Sequence, residues 1–218
     1  MPKPPPDYDA EELRAWRRNV QEVENRLKKS EKNLLKRIEL FALRFEYGAK
    51  VISEKIREDP MFAAHFAKEP RRTGLHEKMA AEWLQNLEQV NEFEVLKKSG
   101  KDALYITSDG EIRKGMKNPP SKSLDFRWRT GNTTIYASHK YTRESGGNQD
   151  SQYKEMEKLL RQFQSSSEEA CVLLVIVDGP YYKDKKMADL RNNTRSHPPQ
   201  SYVTHIEGVP DILNDYVE

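Results

Sequence analysis

An aspartate and a lysine on two neighbouring strand-like segments are the residues whose types and spacing best suit chemistry. Asp125 lies five residues before the tight turn Thr130-Gly131-Asn132, and Lys140 lies eight residues after it. Because side chains alternate along a strand, a hairpin paired across this turn places both on one face. A carboxylate that holds a divalent cation beside an ammonium that positions water suits phosphodiester hydrolysis. On spacing alone, an ordinary cross-strand ion pair is the alternative.

The hairpin belongs to a longer pattern of short strands and helices that begins near residue 93. The apolar run 171–177 predicts a buried strand, and the segment from about residue 149 to 163 predicts a helix. Further strands are expected at 93–97, 103–107, 124–129, 133–141 and 202–206, and further helices at 185–192 and 210–217. The order predicts an α/β fold with a mixed central sheet flanked by helices.

The N-terminal third of the chain predicts a long helical segment. Residues 1–9 are a Pro-rich leader that we expect to be disordered, and residues 10–72 form the helical segment. From 11 to 58 there is no Pro and a single Gly, and apolar residues from Leu13 to Leu34 follow heptad spacing, so one long helix is expected over 11–58. This segment either packs on its own domain or serves as an arm for dimerisation or DNA contact. Residues 73–218 form the expected catalytic core.

Composition limits the classes of protein to consider. Hydrophobic residues make up 36%, charged residues 33%, and the mean hydropathy is −0.93, which favours a modest core with exposed helices. The net charge is only +2, but residues 97–143 hold 11 Lys/Arg against 4 Asp/Glu, an excess of +7. This basic stretch either meets phosphates or is a solvated face.

Other functional classes lack their signatures. The chain has one cysteine and therefore no internal disulfide, and no apolar stretch reaches membrane-spanning length, so a cytoplasmic protein without a membrane partner is expected. It contains no GxxxxGK[ST] loop, no paired CxxC and no HExxH, and its five histidines are scattered.

A family resemblance adds to this chemistry. Ser123-Leu124-Asp125-Phe126, a short spacer, Ile135-Tyr136-Ala137-Ser138-His139-Lys140-Tyr141, a helix and an apolar strand follow one another. This order resembles the PD-(D/E)xK nuclease superfamily, and most closely its type II restriction endonucleases. The resemblance implies a restriction-endonuclease-like core and Mg²⁺-dependent hydrolysis of double-stranded DNA, with Mn²⁺ able to substitute. It also implies a homodimer, a metal-binding and catalytic role for Asp125, and a catalytic role for Lys140.

The match departs from the family pattern at two positions. Leu124 stands where the family often has Pro, and Ser138 stands where it has the carboxylate two residues before the Lys. Because Ser138 brings a hydroxyl but no negative charge, either the site binds metal weakly or another acid completes it. Glu77, on the helix expected after residue 73, is the first candidate, although a solvent-facing Glu in a first helical turn is an ordinary choice. Asp150 and Glu155 are the alternatives, and Asp150 would also suit a helix cap.

The remaining candidates surround this centre. Either Gln149 or Gln152, near the start of the helix after Lys140, is expected to reach the scissile phosphate or a site water. His139 is expected on the face opposite Lys140. Candidate DNA contacts are Gln149, Arg127, Arg143, Arg191 and Asn193. Two alternatives to a restriction enzyme remain open. One is a non-catalytic DNA-binding or assembly protein, and the other is a structure-selective DNA repair nuclease.

Overall fold

The computed structural model describes residues 4–69, 72–115, 121–143, 147–167 and 170–217. These form two compact units, one of residues 7–75 and one of residues 76–218 that also includes the N-terminal residues up to Pro6. The division falls inside a helix, between Leu75 and His76.

Helices alone build the first unit, whereas the second combines helices and strands. The helices are α1 Tyr8–Lys28, α2 Lys32–Arg44, α3 Ala49–Glu58, α4 Pro60–Phe66, α5 Arg72–Leu84, α6 Gly147–Phe163, α7 Asp184–Arg191 and α8 Val209–Asn214. The strands are β1 Asn91–Val95, β2 Leu104–Ile106, β3 Ile112–Lys114, β4 Phe126–Thr130, β5 Thr133–Tyr141, β6 Cys171–Asp178 and β7 Gln200–Thr204. A short 3-10 turn, Ile206–Gly208, precedes α8.

The expectation of one long helix over 11–58 is wrong, because the chain reverses twice within that segment. Ser30 and Glu46 adopt left-handed φ values of 52° and 57°. After each helix the long backbone bond of a Schellman cap forms, from Glu31 N–H to the Arg26 carbonyl and from Tyr47 N–H to that of Ala42. Glycine usually occupies such positions, so neither break carries its customary sequence signal.

The three helices pack with α4 around one apolar core instead of forming a continuous seam. Val23, Leu34, Ile52 and Phe66 are buried there together, whereas Leu13 at the start of the heptad pattern is about half exposed. The helical segment therefore has a core of its own. The leader is also shorter than expected, because α1 begins at Tyr8 and Asp7 caps it by accepting a hydrogen bond from the Ala10 N–H.

The second unit confirms the expected α/β architecture with a mixed sheet. Five strands lie in the order β1-β4-β5-β6-β7, with antiparallel pairing from β1 to β5 and parallel pairing from β5 to β7. β2 and β3 form a separate antiparallel hairpin. The carboxyl ends of β5, β6 and β7 therefore meet at one end of the sheet, together with the start of β4 and the end of β1.

Each face of this sheet carries its own apolar core. On one face Leu173, Val175 and Val177 of β6 pack with α6, α7 and the β2–β3 hairpin. On the other face the intervening residues of β6, such as Leu174 and Ile176, pack with α5 and α8. A strand buried on both faces explains why β6 is apolar throughout.

The β4–β5 hairpin sets the register on which the candidate site depends. Thr130 pairs with Thr133, so the turn contains only Gly131 and Asn132, and Gly131 takes a φ of 52°. A two-residue turn with glycine at its first position matches the twist of antiparallel strands and fixes the pairing. Phe126 then lies opposite Ala137, which brings the start of β4 to the end of β5.

Candidate functional site

Asp125 lies immediately before β4, at the end of the sheet where β5 and β6 also end. Its amide donates to the Ala137 carbonyl at 2.9 Å, and its carbonyl accepts from the Leu96 N–H at 2.9 Å. These bonds hold its backbone between β1 and β5. The side chain is 5% exposed, so this carboxyl group is removed from bulk water.

One oxygen of the Asp125 carboxylate receives two hydrogen bonds from β5. Ser138 Oγ donates to Oδ2 at 3.0 Å, and the His139 N–H donates to the same oxygen at 2.9 Å. Ser138 therefore orients Asp125 from the position where the resembling family has an acid. A hydroxyl at this position supports the first carboxylate but adds no second one.

Burial is the main cause that raises the pKa of Asp125, because it disfavours the charged form. The His139 N–H, Lys122 and Ser138 oppose this rise, whereas the negative charge of Glu77 adds to it. The net shift is upward, so the hydrogen bonds do not offset desolvation and the nearby acid. A buried carboxylate in this condition is stabilised by any cation that comes near it.

Lys140 lies on the same sheet face as Asp125 and Ser138. It stands two residues beyond Ser138 on β5, a step of about 7 Å along a strand. Its register partner on β6 is Val177, and its side chain is 6% exposed. The sequence-based expectation that Asp125 and Lys140 share one face near the open end of the hairpin is confirmed.

Glu77 of α5 comes to the same end of the sheet. Its neighbour His76 stacks on Tyr141 of β5, with ring centroids 4.3 Å apart. The Glu77 side chain is 13% exposed, forms an ion pair with Lys98, and raises the pKa of Asp125 through its charge. Because α5 begins at Arg72, Glu77 lies in its second turn. The general preference for acids in the first turn of a helix therefore does not account for Glu77.

The acids at this end of the sheet supply part of what a divalent cation needs. Within the described part of the chain, no group of three or more His, Cys, Asp or Glu side chains is arranged to hold a metal. The negative charge of Glu77 acts on Asp125, so these two carboxylates are the acids at this end of the sheet that could share a cation. Mg²⁺ is commonly held by one or two carboxylates, with waters and substrate phosphates completing its coordination. This pair therefore fits Mg²⁺ as an ion that the protein shares with a phosphate.

Helix α6 brings Gln152 to the face that carries Lys140. Thr142 Oγ1, two residues beyond Lys140, donates to Gln152 Oε1 at 3.3 Å. The side chain of Gln149 lies outside the described residues. Asp150 accepts from Tyr181 at 2.6 Å and lies 3.5 Å from the Lys186 ammonium, and Glu155 is exposed. These contacts place neither alternative acid beside Asp125.

The candidate DNA contacts fall into two groups. Arg127 on β4 pairs with Glu94 of β1 at 2.7 Å, and Arg143 is exposed just after β5. Arg191 instead donates to the Val203 carbonyl, and Asn193 exchanges hydrogen bonds with Arg161 and Asp189. The last two residues therefore join α7 to its neighbours, at the end of α6 remote from Lys140. Their contact with DNA stays a prediction.

A second buried carboxylate, on the opposite face of the sheet, was not singled out from the sequence. Asp178 ends β6, and its Oδ2 lies 3.1 Å from Nε2 of His139 while its Oδ1 accepts from the Ile206 N–H at 3.0 Å. His205 Nδ1 lies 3.7 Å from Oδ1. Burial alone would raise the pKa of Asp178, but the bonds from His139, His205 and Ile206 outweigh burial and lower it strongly. His139 is confirmed on the face opposite Lys140.

Two further observations bear on how the chain is classified. No helix of the described residues combines the length and apolar character needed to cross a membrane. A scan against models of known protein families gives no match, and neither does a search of curated proteins. The geometry of the site is therefore the basis on which its chemistry is assigned.

Proposed function

We propose that this chain is a Mg²⁺-dependent endonuclease that hydrolyses phosphodiester bonds in double-stranded DNA. The observation that carries the proposal is the placement of buried Asp125 on one sheet face with Lys140, with the charge of Glu77 directed at the same aspartate. The resemblance of the sequence to type II restriction endonucleases of the PD-(D/E)xK superfamily also supports the proposal.

The charges at the site favour a cation and a phosphate together. Asp125 and Glu77 both bring negative charge to this end of the sheet, and burial, with a smaller contribution from Glu77, raises the pKa of Asp125. Lys140 places a positive charge two residues along the same strand face. Acids that bind a metal beside a lysine that meets a phosphate form an arrangement suited to phosphoryl chemistry.

Each residue of the proposed site has its own task in hydrolysis. Mg²⁺, when bound, would polarise the phosphate and lower the pKa of a coordinated water. Asp125, held by Ser138 and the His139 N–H, and Glu77 are the carboxylates that would hold this ion. Lys140 orients the attacking water and stabilises charge on the phosphate oxygens as the bond to the leaving oxygen breaks. Gln152 is positioned to bind a phosphate oxygen or a water.

The basic surroundings support a polyanionic substrate. Lys98, Lys122 and Arg143 lie in the segments that end β1, precede β4 and follow β5, all at the same end of the sheet. Neutralising phosphates with such side chains gives binding that weakens as salt increases. Cutting both strands of a duplex with one site per chain requires two copies, so a homodimer is part of the proposal.

The test is cleavage of supercoiled plasmid by the wild-type protein in Mg²⁺ and in Mn²⁺, alongside three variants. Asp125→Asn and Lys140→Met are expected to lower the cleavage rate by about 1000-fold or more, and Glu77→Gln by about 100-fold. All three should still bind duplex DNA in Ca²⁺. The matched control is Glu82→Gln, on the same helix but exposed and paired with Lys78, which should cut at the wild-type rate.

The pattern of products separates the proposal from its rivals. Discrete fragments support a sequence-specific restriction enzyme, whereas structure-selective nicking supports a repair nuclease. A wild-type protein that binds duplex DNA but cuts nothing in either metal would establish the non-catalytic alternative. Two observations favour that alternative: the serine at position 138, and the finding that no three metal-binding side chains come together among the residues that the structure describes. Asp125→Asn cutting at the wild-type rate would show that the site lies elsewhere.

A further inference from the structure

Lys98 is the basic side chain of this site that is already paired with an acid in the absence of DNA. It follows β1 and forms an ion pair with Glu77, one of the two carboxylates assigned to the metal. The two ends of this pair differ in environment. Glu77 is largely shielded, whereas the Lys98 side chain is 60% exposed and extends from solvent to reach the acid.

The backbone of Lys98 is fixed even though its side chain is exposed. Ser123 Oγ donates to the Lys98 carbonyl at 2.9 Å, and Ser123 is itself buried. Two residues earlier, Leu96 N–H binds the Asp125 carbonyl. The segment 96–98 is therefore tied to the segment that carries Asp125, and the exposed Lys98 side chain extends from this fixed backbone to Glu77.

The Lys98 ammonium and a divalent cation compete for the carboxylate of Glu77. Either of them neutralises this carboxylate. A cation that Asp125 and Glu77 share also relieves the repulsion between the two acids, whereas a lysine paired with Glu77 alone leaves Asp125 without a counter-ion. An ion pair with such an exposed lysine is worth little, so a divalent cation can displace it. The released ammonium stands at the edge of the site where a DNA phosphate would lie.

We propose that Lys98 is a displaceable counter-ion of Glu77 that transfers to a DNA phosphate when a divalent cation binds. This inference depends on the proposed function and names a coupling within that same site. Metal alone must compete with Lys98, and DNA alone must take Lys98 from Glu77. When both bind, neither competition remains, so each ligand strengthens the binding of the other.

The test compares Lys98→Met with Lys122→Met in the full chain. Lys122 also places a positive charge near Asp125, but it forms no ion pair with Glu77 among the described residues. Both variants remove one charge from the same neighbourhood, and methionine keeps the aliphatic stem. The difference between them isolates the ion pair from general electrostatics. Thermal unfolding of both variants checks that the fold is unchanged.

Two binding measurements carry the decision. Mn²⁺ binding without DNA, followed by electron paramagnetic resonance, should become about two- to five-fold tighter in Lys98→Met and change less in Lys122→Met. Duplex binding in Ca²⁺ should weaken in Lys98→Met, with the slope of log Kd against log salt concentration reduced by about 0.9. The wild-type protein should bind Mn²⁺ more tightly in the presence of an uncut duplex than in its absence.

The inference fails if Lys98→Met leaves Mn²⁺ affinity unchanged, or tightens it no more than Lys122→Met does. It also fails if duplex binding in Ca²⁺ is the same in Lys98→Met as in the wild type. Plasmid cleavage by the wild-type protein decides the proposed function separately. A wild type that cuts DNA while Lys98→Met binds Mn²⁺ normally would overturn only the role of Lys98.

Discussion

The central sheet carries a buried aspartate on each face, and the two differ in how completely their charge is compensated. Asp178 lies between two histidines and accepts a backbone N–H, and its pKa is strongly lowered, although burial opposes this. Asp125 receives one hydroxyl and one backbone N–H on a single oxygen, and burial raises its pKa.

Both aspartates are held by the same short stretch of β5. Ser138 faces Asp125 and the His139 ring faces Asp178, while the His139 N–H turns back to Asp125. Because side chains alternate along β5, Asp178 receives a histidine ring from this strand, whereas Asp125 receives only a hydroxyl and a backbone N–H. A compensated carboxylate anchors the fold, whereas an uncompensated one near a second acid is suited to bind a cation.

The largest expected effect is a difference in the free energy of unfolding between the Asp178→Asn and Asp125→Asn variants. Asp178→Asn removes the charge that faces two histidines, and we expect it to lower the free energy of unfolding by about 3 kcal/mol. Asp125→Asn keeps an acceptor for Ser138 and removes a poorly compensated buried charge, so it should be neutral or slightly stabilising without metal. Urea unfolding at pH 7 measures both. Equal losses would mean that the two acids are equally compensated.

A smaller effect is expected in how stability depends on pH. The lowered pKa of Asp178 means that its contribution is present above its unfolded value of about 3.9 and is lost as the pH falls below it. Asp125 has a raised pKa, so its ionisation opposes folding as the pH rises through that value. Asp178→Asn should therefore flatten the acid side of the stability profile, and Asp125→Asn should steepen it.

His205 extends the same comparison to neutral pH. The Asp178 carboxylate, 3.7 Å from Nδ1, raises the pKa of His205, so its contribution is present below about 6.5 and is lost as the pH rises through the raised value. His205→Asn should remove this loss. Urea midpoints measured in metal-free buffer across the acid and neutral range test both sides. A wild-type profile that His205→Asn leaves unchanged would separate this histidine from Asp178.

Much of the Asp125 face could be predicted from the sequence, because its signals are local. The glycine-containing turn at 131 fixes the register, and alternation then places Asp125, Ser138 and Lys140 on one face. The Asp178 face could not be predicted in the same way. Its partners His139 and His205 come from separate strands, and only the tertiary fold brings them to one carboxylate.

The same reasoning explains where the helical unit was predicted wrongly. Periodicity identified helix correctly on both sides of Ser30 and Glu46, but the chain reversals there use left-handed residues that are not glycine. Such residues cost about 1 kcal/mol each and are adopted because the reversals allow three helices to share a core. Likewise Glu77 could be nominated as an acid, but the Lys98 that pairs with it counted only as part of a basic stretch.

The smallest expected effect concerns the hydroxyl that distinguishes this site from the resembling family. Ser138→Ala removes the 3.0 Å bond to Asp125 Oδ2, and we expect about 1 kcal/mol less stability and cleavage slowed by about ten-fold, because Asp125 keeps the His139 N–H but loses orientation. The matched control is Ser201→Ala, a buried serine on β7 whose hydroxyl accepts from the Arg195 N–H. It should lose similar stability and cut normally. If both variants cut alike, Ser138 contributes only to the fold, and the uncompensated state of Asp125 alone would account for the activity of this face.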